Sequence, residues 1–306
     1  MPTNDLPYQF RSGYFGGGQT TGGTNVSGID KFAFSADTRT VLSATLTTAR
    51  SNLEAFANSG VAGYFGGGND SGGDISGIIK ITFPADTKTT LSATLTTARY
   101  NMGSFANSGV AGYFAAGIDS VYLDGVDKVT FPADSKSTLG ATISSVRRSL
   151  TGMANSGVAG YAAGGDNSGG FLNGIDKVAF SADTITTLAA TLSTAVNELG
   201  AMANSGVAGY IGGGTGSGGS ISAIDKIAFP ADSKTTLVAT LSTVNGRLAG
   251  MADTGIAGYF GGGRDTVDRI ATVDKIAFPS DTKSTLGTGL SVVNERLAAM
   301  ADCGVF

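Results

Sequence analysis

The residues able to do chemistry are few, and their types exclude more than they admit. The 306-residue chain has no histidine and a single cysteine, Cys303. Without imidazole it lacks the commonest general base near neutral pH and the commonest metal ligand. Ser-His-Asp hydrolysis is therefore impossible, and one sulfur cannot complete a closed four-ligand zinc site. Two carboxylates could still support glycoside hydrolysis. The glutamates are only Glu54, Glu198 and Glu295, and the remaining acids are aspartates that mostly recur at equivalent places along the chain. An active site needs singular residues in one place, whereas a column present in every copy is more simply a turn or a strand contact. The reading is that the chain has no catalytic residue, no metal site and no cofactor.

The strongest polar regularity is a lysine column, Lys31, Lys80, Lys128, Lys177, Lys226 and Lys275. It is preceded by Asp30, Asp127, Asp176, Asp225 and Asp274, with Ile79 in the second copy. A ring of cations could bind an anion. The favoured alternative is a charged contact between neighbouring units, each lysine stem lying on apolar surface, because the adjacent aspartates would cancel most of a cationic field. Glycine triplets such as Gly66-Gly67-Gly68 are a weak phosphate signal, since a phosphate cradle needs a helix N-terminus and strand follows on both sides here.

These columns are positioned by a repeat. Gly63-Tyr64-Phe65-Gly66-Gly67-Gly68 is one of six related copies, the others beginning at Gly13, Gly112, Gly160, Gly209 and Gly258. A period near fifty residues means one supersecondary unit repeated. In the second copy Leu53–Ala57 is a short apolar run followed by Asn58-Ser59-Gly60, and Val61–Phe65 is a second run stopped by the glycines. After a polar loop, Ile78–Phe83 reads as a third strand, closed by Pro84-Ala85-Asp86-Thr87, where proline and aspartate supply turn chemistry. Thr89–Leu95 alternates leucine with hydroxyls, as a strand buried on one side does. Four short strands, a to d, in about fifty residues describe a propeller blade. No segment keeps a 3.6-residue apolar period.

Other columns agree. Phe34, Phe83, Phe131, Phe180, Phe229 and Phe278 share one position, and Phe56, Phe105, Met153, Met202, Met251 and Met300 share another, both read as core. Asp37, Asp86, Asp134, Asp183, Asp232 and Asp281 are read as turn formers. The fold expected is all-β: a six-bladed β-propeller of four-stranded antiparallel blades over residues 12–306, with an N-terminal arm over 1–11. The first copy lacks an a strand and the last is followed by an extra one, Leu297–Asp302. That strand should complete the first blade and close the ring, placing Phe306 beside Ser12. Thr, Ser and Lys on the outer d strands blunt the exposed edges.

Tyr-Phe-Gly-Gly-Gly, a loop, Ile-Asp-Lys-x-x-Phe, then an arginine before strand a (Arg50, Arg99, Arg147) resembles the kelch repeat. It departs from that pattern in having no tryptophan and in carrying the arginine in three of six copies. The variant with Gly-Tyr-Phe-Gly-Gly-Gly and Ala-Asp-Thr-x-Thr-Thr is similar to kelch-like proteins of tailed phages, especially those of cyanobacteria. The resemblance spans residues 12–306 and implies a propeller in a virion.

A formal charge of −4 and a pI near 4.8 argue against nucleic-acid binding, which needs a clustered basic face. No run of eighteen apolar residues exists to insert in a membrane, and the first residues do not form a secretory signal. The localisation expected is the virion, after synthesis in a host cytoplasm. Recognition is placed on the b–c loops, where the copies differ most, because loops on a rigid scaffold vary without loss of fold. The candidate contact residues are Asn69, Asp70, Asp119, Tyr122, Asp124, Asp166, Phe171, Arg264 and Asp265, on a rim shared with the d–a connections. Expected partners are other virion proteins or a host-surface receptor, with further docking through residues 1–11, whose Leu6, Pro7, Tyr8 and Phe10 are apolar. The function expected is a non-enzymatic structural or binding component of a tailed-phage virion, such as an appendage, fibre or capsid-surface protein. The alternatives are a cellular kelch-like interaction module and a glycan-binding propeller.

Overall fold

The computed structural model describes residues 11–303. It is a six-bladed propeller of four-stranded antiparallel sheets, each with its strands side by side in the order a, b, c, d. Blade 2 is typical: Glu54–Asn58, Ala62–Gly66, Gly77–Thr82 and Thr87–Thr94. Strands a and b are almost wholly buried because neighbouring blades cover both their faces. Strand c alternates, and strand d is largely exposed. That gradient explains why the inner strands are Ala-, Gly- and aromatic-rich while the outer ones carry Thr, Ser and Lys.

The ring closes as the sequence implies. Ala298–Ala301 pairs antiparallel with Ser12–Gly16, in register Gly13↔Ala301 to Gly16↔Ala298. The Asp302 amide donates to Ser12 O at 2.9 Å, and the Ser12 amide donates to Asp302 Oδ1 at 2.8 Å. Arg11, assigned to the arm from sequence, pairs with Asp253 of blade 6 at 3.1 Å. Residues 1–10, with their docking role, and Phe306 lie outside the described residues.

Blade-to-blade packing explains the two strongest columns together. The first glycine of every Gly-Tyr pair faces the large side chain of strand a in the preceding blade: Gly112 meets Phe56, Gly160 meets Phe105, and Gly209, Gly258, Gly13 and Gly63 meet Met153, Met202, Met251 and Met300. A Cβ at any of the six would overlap that side chain. Glycine is therefore required here for close approach, and thioethers suit four of the six gaps because they bend to fit.

A polar belt runs round the ring at the c–d turns. The column tyrosine of each blade donates its hydroxyl to the turn aspartate of the next, at 2.7–3.0 Å. The column lysine pairs with the other carboxylate oxygen at 2.6–2.7 Å. Each tyrosine also stacks on the phenylalanine column of that next blade, with centroids 5.0–5.4 Å apart. The aspartates are turn residues, with φ between 51 and 56°, a region that asparagine and aspartate tolerate better than other side chains. A turn role alone understates them, however, because each also bolts two blades together. The lysines likewise join blades, but through these turn aspartates rather than the aspartates adjacent in sequence. Those adjacent aspartates point the other way, receiving the d–a connection of the preceding blade, as when Asp176 accepts from Ser144 N and Oγ.

The arginine column is structural. Arg50 donates to Gly67 O at 2.9 Å and Gly77 O at 3.2 Å, and Arg147 to Gly164 O at 3.2 Å. Burial lowers the Arg50 pKa to about 10. Where arginine is missing, Asn245 and Asn294 reach the equivalent carbonyls, Gly262 O and Gly17 O.

Candidate binding face

The b–c loops and d–a connections share one face of the disc. Each connection touches the b–c loop of its own blade through one antiparallel bridge: Ser51↔Asn69, Tyr100↔Ile118, Arg148↔Asp166, Asn197↔Thr215, Gly246↔Arg264 and Glu295↔Gln19. The next residue in each connection is Asn52, Asn101, Ser149, Glu198, Arg247 or Arg296. All six are left-handed, with φ between 52 and 62°. The amide of each donates to the carbonyl of its equivalent in the preceding blade at 2.7–3.0 Å. The result is a closed circle of six peptide hydrogen bonds round the axis. Non-glycine residues held at positive φ are sparsely populated and gather where the surroundings over-determine them. Here the backbone repeats while the side chains run from neutral Asn52, Asn101 and Ser149 through acidic Glu198 to basic Arg247 and Arg296.

The charge on this circle is lopsided. Arg247 donates to Glu198 Oε1 at 2.7 Å and to Glu295 Oε2 at 3.1 Å, and Arg269 lies 2.9 Å from Glu295 Oε1. Burial works against the Arg247 charge, but the two glutamates outweigh it and raise its pKa. Arg296 is held down, first by burial and then by Arg247. Its hydrogen bond is a long one, 3.5 Å to Gln19 Oε1.

Inside the circle lies a cavity of about 50 Å³ that Glu54 lines together with the six circle residues. Deeper along the axis is a second, of about 30 Å³, bordered by Glu54, Ser104 and Thr151 among small residues. Glu54 is singular: the equivalent places in strand a are Gly103, Thr151, Gly200, Ala249 and Ala298. Burial pushes its carboxyl up to about 8, opposed only by Ser104. The Ser104 hydroxyl lies 2.7 Å from Ala55 O and 3.1 Å from Glu54 Oε2. A hydroxyl has one proton. When Ser104 gives it to the closer carbonyl, the contact to Glu54 is satisfied only if Glu54 carries a proton and donates it.

The nine residues expected on the rim do stand on this face, but not as one cluster. Tyr122 and Asp166 are brought together by Arg148, which lies 5.4 Å from the Tyr122 ring centroid and 3.2 Å from Asp166 Oδ2. Asp166 also accepts from Asn197 at 2.9 Å and is buried, so it joins blades 4 and 5 rather than facing outward. Asn69 is engaged by Asn52 at 2.8 Å. Asp70 accepts from Gly72 N at 2.6 Å and Asp119 from Val121 N at 2.8 Å. Asp265 accepts from Val267 N and Asp268 N, bonds that hold its pKa below the usual carboxylate range. These carboxylates shape their own loops. Asp124 is half-buried on a hairpin, because strands b and c of blade 3 run on to Ile118 and from Tyr122. Phe171, 37% exposed, and Arg264 are the outward contact groups. The circle and Glu54 were missed from sequence. The signal available was that all three glutamates break the repeat.

Among the described residues no three His, Cys, Asp or Glu side chains form a metal-binding group, and no helix is long and apolar enough to cross a membrane. No protein-family model matches the chain. Comparison with curated proteins likewise gives no match. The architecture is that of a binding or interaction scaffold, a rigid disc with one face free to vary.

Proposed function

We propose that the chain is a non-enzymatic binding component of a tailed-phage virion, a kelch-like propeller that holds its partner with the b–c rim. The observation that carries the binding half is the contrast between faces. The c–d turns repeat the same Tyr-Lys-Asp bolt six times, while the other face does not keep one residue type: the circle reads Asn52, Asn101, Ser149, Glu198, Arg247 and Arg296, and Tyr122, Phe171 and Arg264 each stand in a single blade's loop. The virion half rests on the repeat variant, Gly63–Gly68 with Ala85–Thr90, and its likeness to phage proteins. The partner is another virion protein or a host-surface receptor.

Mass spectrometry of purified particles tests the setting, and the chain should co-purify in fixed proportion to the major structural proteins. Free protein in the lysate with none in particles overturns the virion reading. Partner capture by a variant carrying Tyr122→Ser, Phe171→Ser and Arg264→Ser tests the rim. Undiminished capture removes the rim from the reading.

A further inference from the structure

Five blades carry an aspartate just before the column lysine, and in four both carboxylate oxygens are engaged. One oxygen accepts from a strand-d threonine at 2.6–2.8 Å (Thr138 to Asp127, Thr187 to Asp176, Thr236 to Asp225, Thr285 to Asp274). A cation stands within reach of each: Arg99 at 3.1 Å, Arg147 at 2.6 Å, Lys234 at 3.6 Å and Lys283 at 3.5 Å. Blade 1 keeps the serine amide bond from the d–a connection but lacks both the threonine and the cation. Valine, Val41, stands opposite Asp30 where the others have threonine. Arg39, in the place of the strand-d lysine, donates to Gly289 O at 3.1 Å instead. Asn294 occupies the arginine position and is spent on Gly17 O at 2.6 Å. Asp30 is left 7% exposed, accepting from Ser291 N at 2.7 Å through Oδ2, while its Oδ1 has no partner. Asn294 Oδ1 is buried and unpartnered beside it.

These atoms border a cavity of about 360 Å³ in blade 1. The equivalent place in blade 5, beside Val196 and Asp225, measures about 10 Å³. The larger volume falls in the ~300–1,000 Å³ range of small-ligand clefts. A buried carboxylate without a counter-charge is costly and favours an incoming cation. The chain supplies its own template for which cation. In blade 4 the Arg147 guanidinium sits on Asp176 Oδ2 at 2.6 Å, with Gly164 O at 3.2 Å and Gly174 O at 3.3 Å. The matching groups in blade 1 are Asp30, Gly17 and Gly28, and all three line the cavity, with Phe15 and Leu290 as apolar wall.

We propose that this cavity is a binding site for the guanidinium group of an external ligand, either an arginine side chain of a partner protein or a free guanidine. The group enters from the rim, between the blade 1 b–c loop and the connection arriving from blade 6, and meets Asp30 with the planar fork that suits a carboxylate. The site goes beyond the functional reading above and stands whether or not the chain is found in particles.

Calorimetric titration with agmatine tests it. The wild type should bind one equivalent saturably, and Asp30→Asn should weaken binding at least ten-fold. Asn294→Arg should recreate the Arg147–Asp176 arrangement inside blade 1, abolishing agmatine binding while the melting temperature holds or rises. In the same titration the peptide Gly-Arg-Gly separates the sources. Affinity equal to agmatine assigns the site to a partner's arginine, and ten-fold weaker affinity assigns it to a free guanidine. Absence of saturable binding by the wild type overturns the proposal. So does full agmatine affinity in folded Asn294→Arg, or equal affinity for butylammonium.

Discussion

Replacing Glu54 by glutamine isolates the acid that lines both axial cavities. Burial raises its pKa from 4.5 to about 8 in the folded chain. The folded state therefore holds the proton more tightly than the unfolded state, so between those values stability falls as pH rises. No cost is present below pH 4.5, the cost grows through the window, and it is complete above pH 8. At about 1.36 kcal/mol per pKa unit the upper bound is ~5 kcal/mol. Glu54 keeps part of its surface open to the axial cavities, so some hydration survives and about 2–3 kcal/mol is expected. The amide can still bond Ser104 but never ionises. Wild type and Glu54→Gln should thus unfold alike at pH 5. At pH 8.5 the variant should be more stable, by about 3–5 °C in melting temperature for a chain of this length. Urea or thermal unfolding followed by circular dichroism at the two pH values reads the difference. An equal gap at both, or none at pH 8.5, refutes the argument that Glu54 is protonated in the folded state.

The bolts between blades make two further predictions. Asp232→Ala strips the acceptor from Lys177 and Tyr161 and leaves alanine at φ 53°. It should cost about 2–3 kcal/mol in urea unfolding, while Asp232→Asn, which keeps the turn preference, should cost about half as much. Gly112→Ala forces a methyl into the Phe56 ring and should cost about 1–3 kcal/mol. The same change at Gly140, which is exposed, has nothing within 4 Å of an added Cβ and does not hold a positive φ, should stay within about 0.5 kcal/mol of neutral, and equal losses at the two sites would contradict close approach as the reason for the glycine column.

The linear chain was enough to read the fold. The fifty-residue period, the Gly-Tyr copies and the Phe/Met column state a blade, and the surplus strand at the C-terminal end states the closure, because these signals are local and repeated six times. The variable rim was legible for the same reason, as the place where repetition fails. What stayed hidden depends on partners that sequence distance conceals. Asp37 reads as a turn residue until ring closure brings Lys275 to it, 238 positions away. The left-handed circle of Asn52, Asn101, Ser149, Glu198, Arg247 and Arg296 exists only because six connections converge on one axis. Glu54 reads as an ordinary acid in a short strand until the other five blades surround it with glycine, alanine and threonine. Asp30 looks like its four equivalents until Val41, Arg39 and Asn294, each unremarkable alone, are found to leave its Oδ1 without a partner. A periodic sequence can specify a unit and its count. Which departure from the period matters is decided by what the neighbouring blade places against it, because burial and pairing set the free energy of a charged side chain.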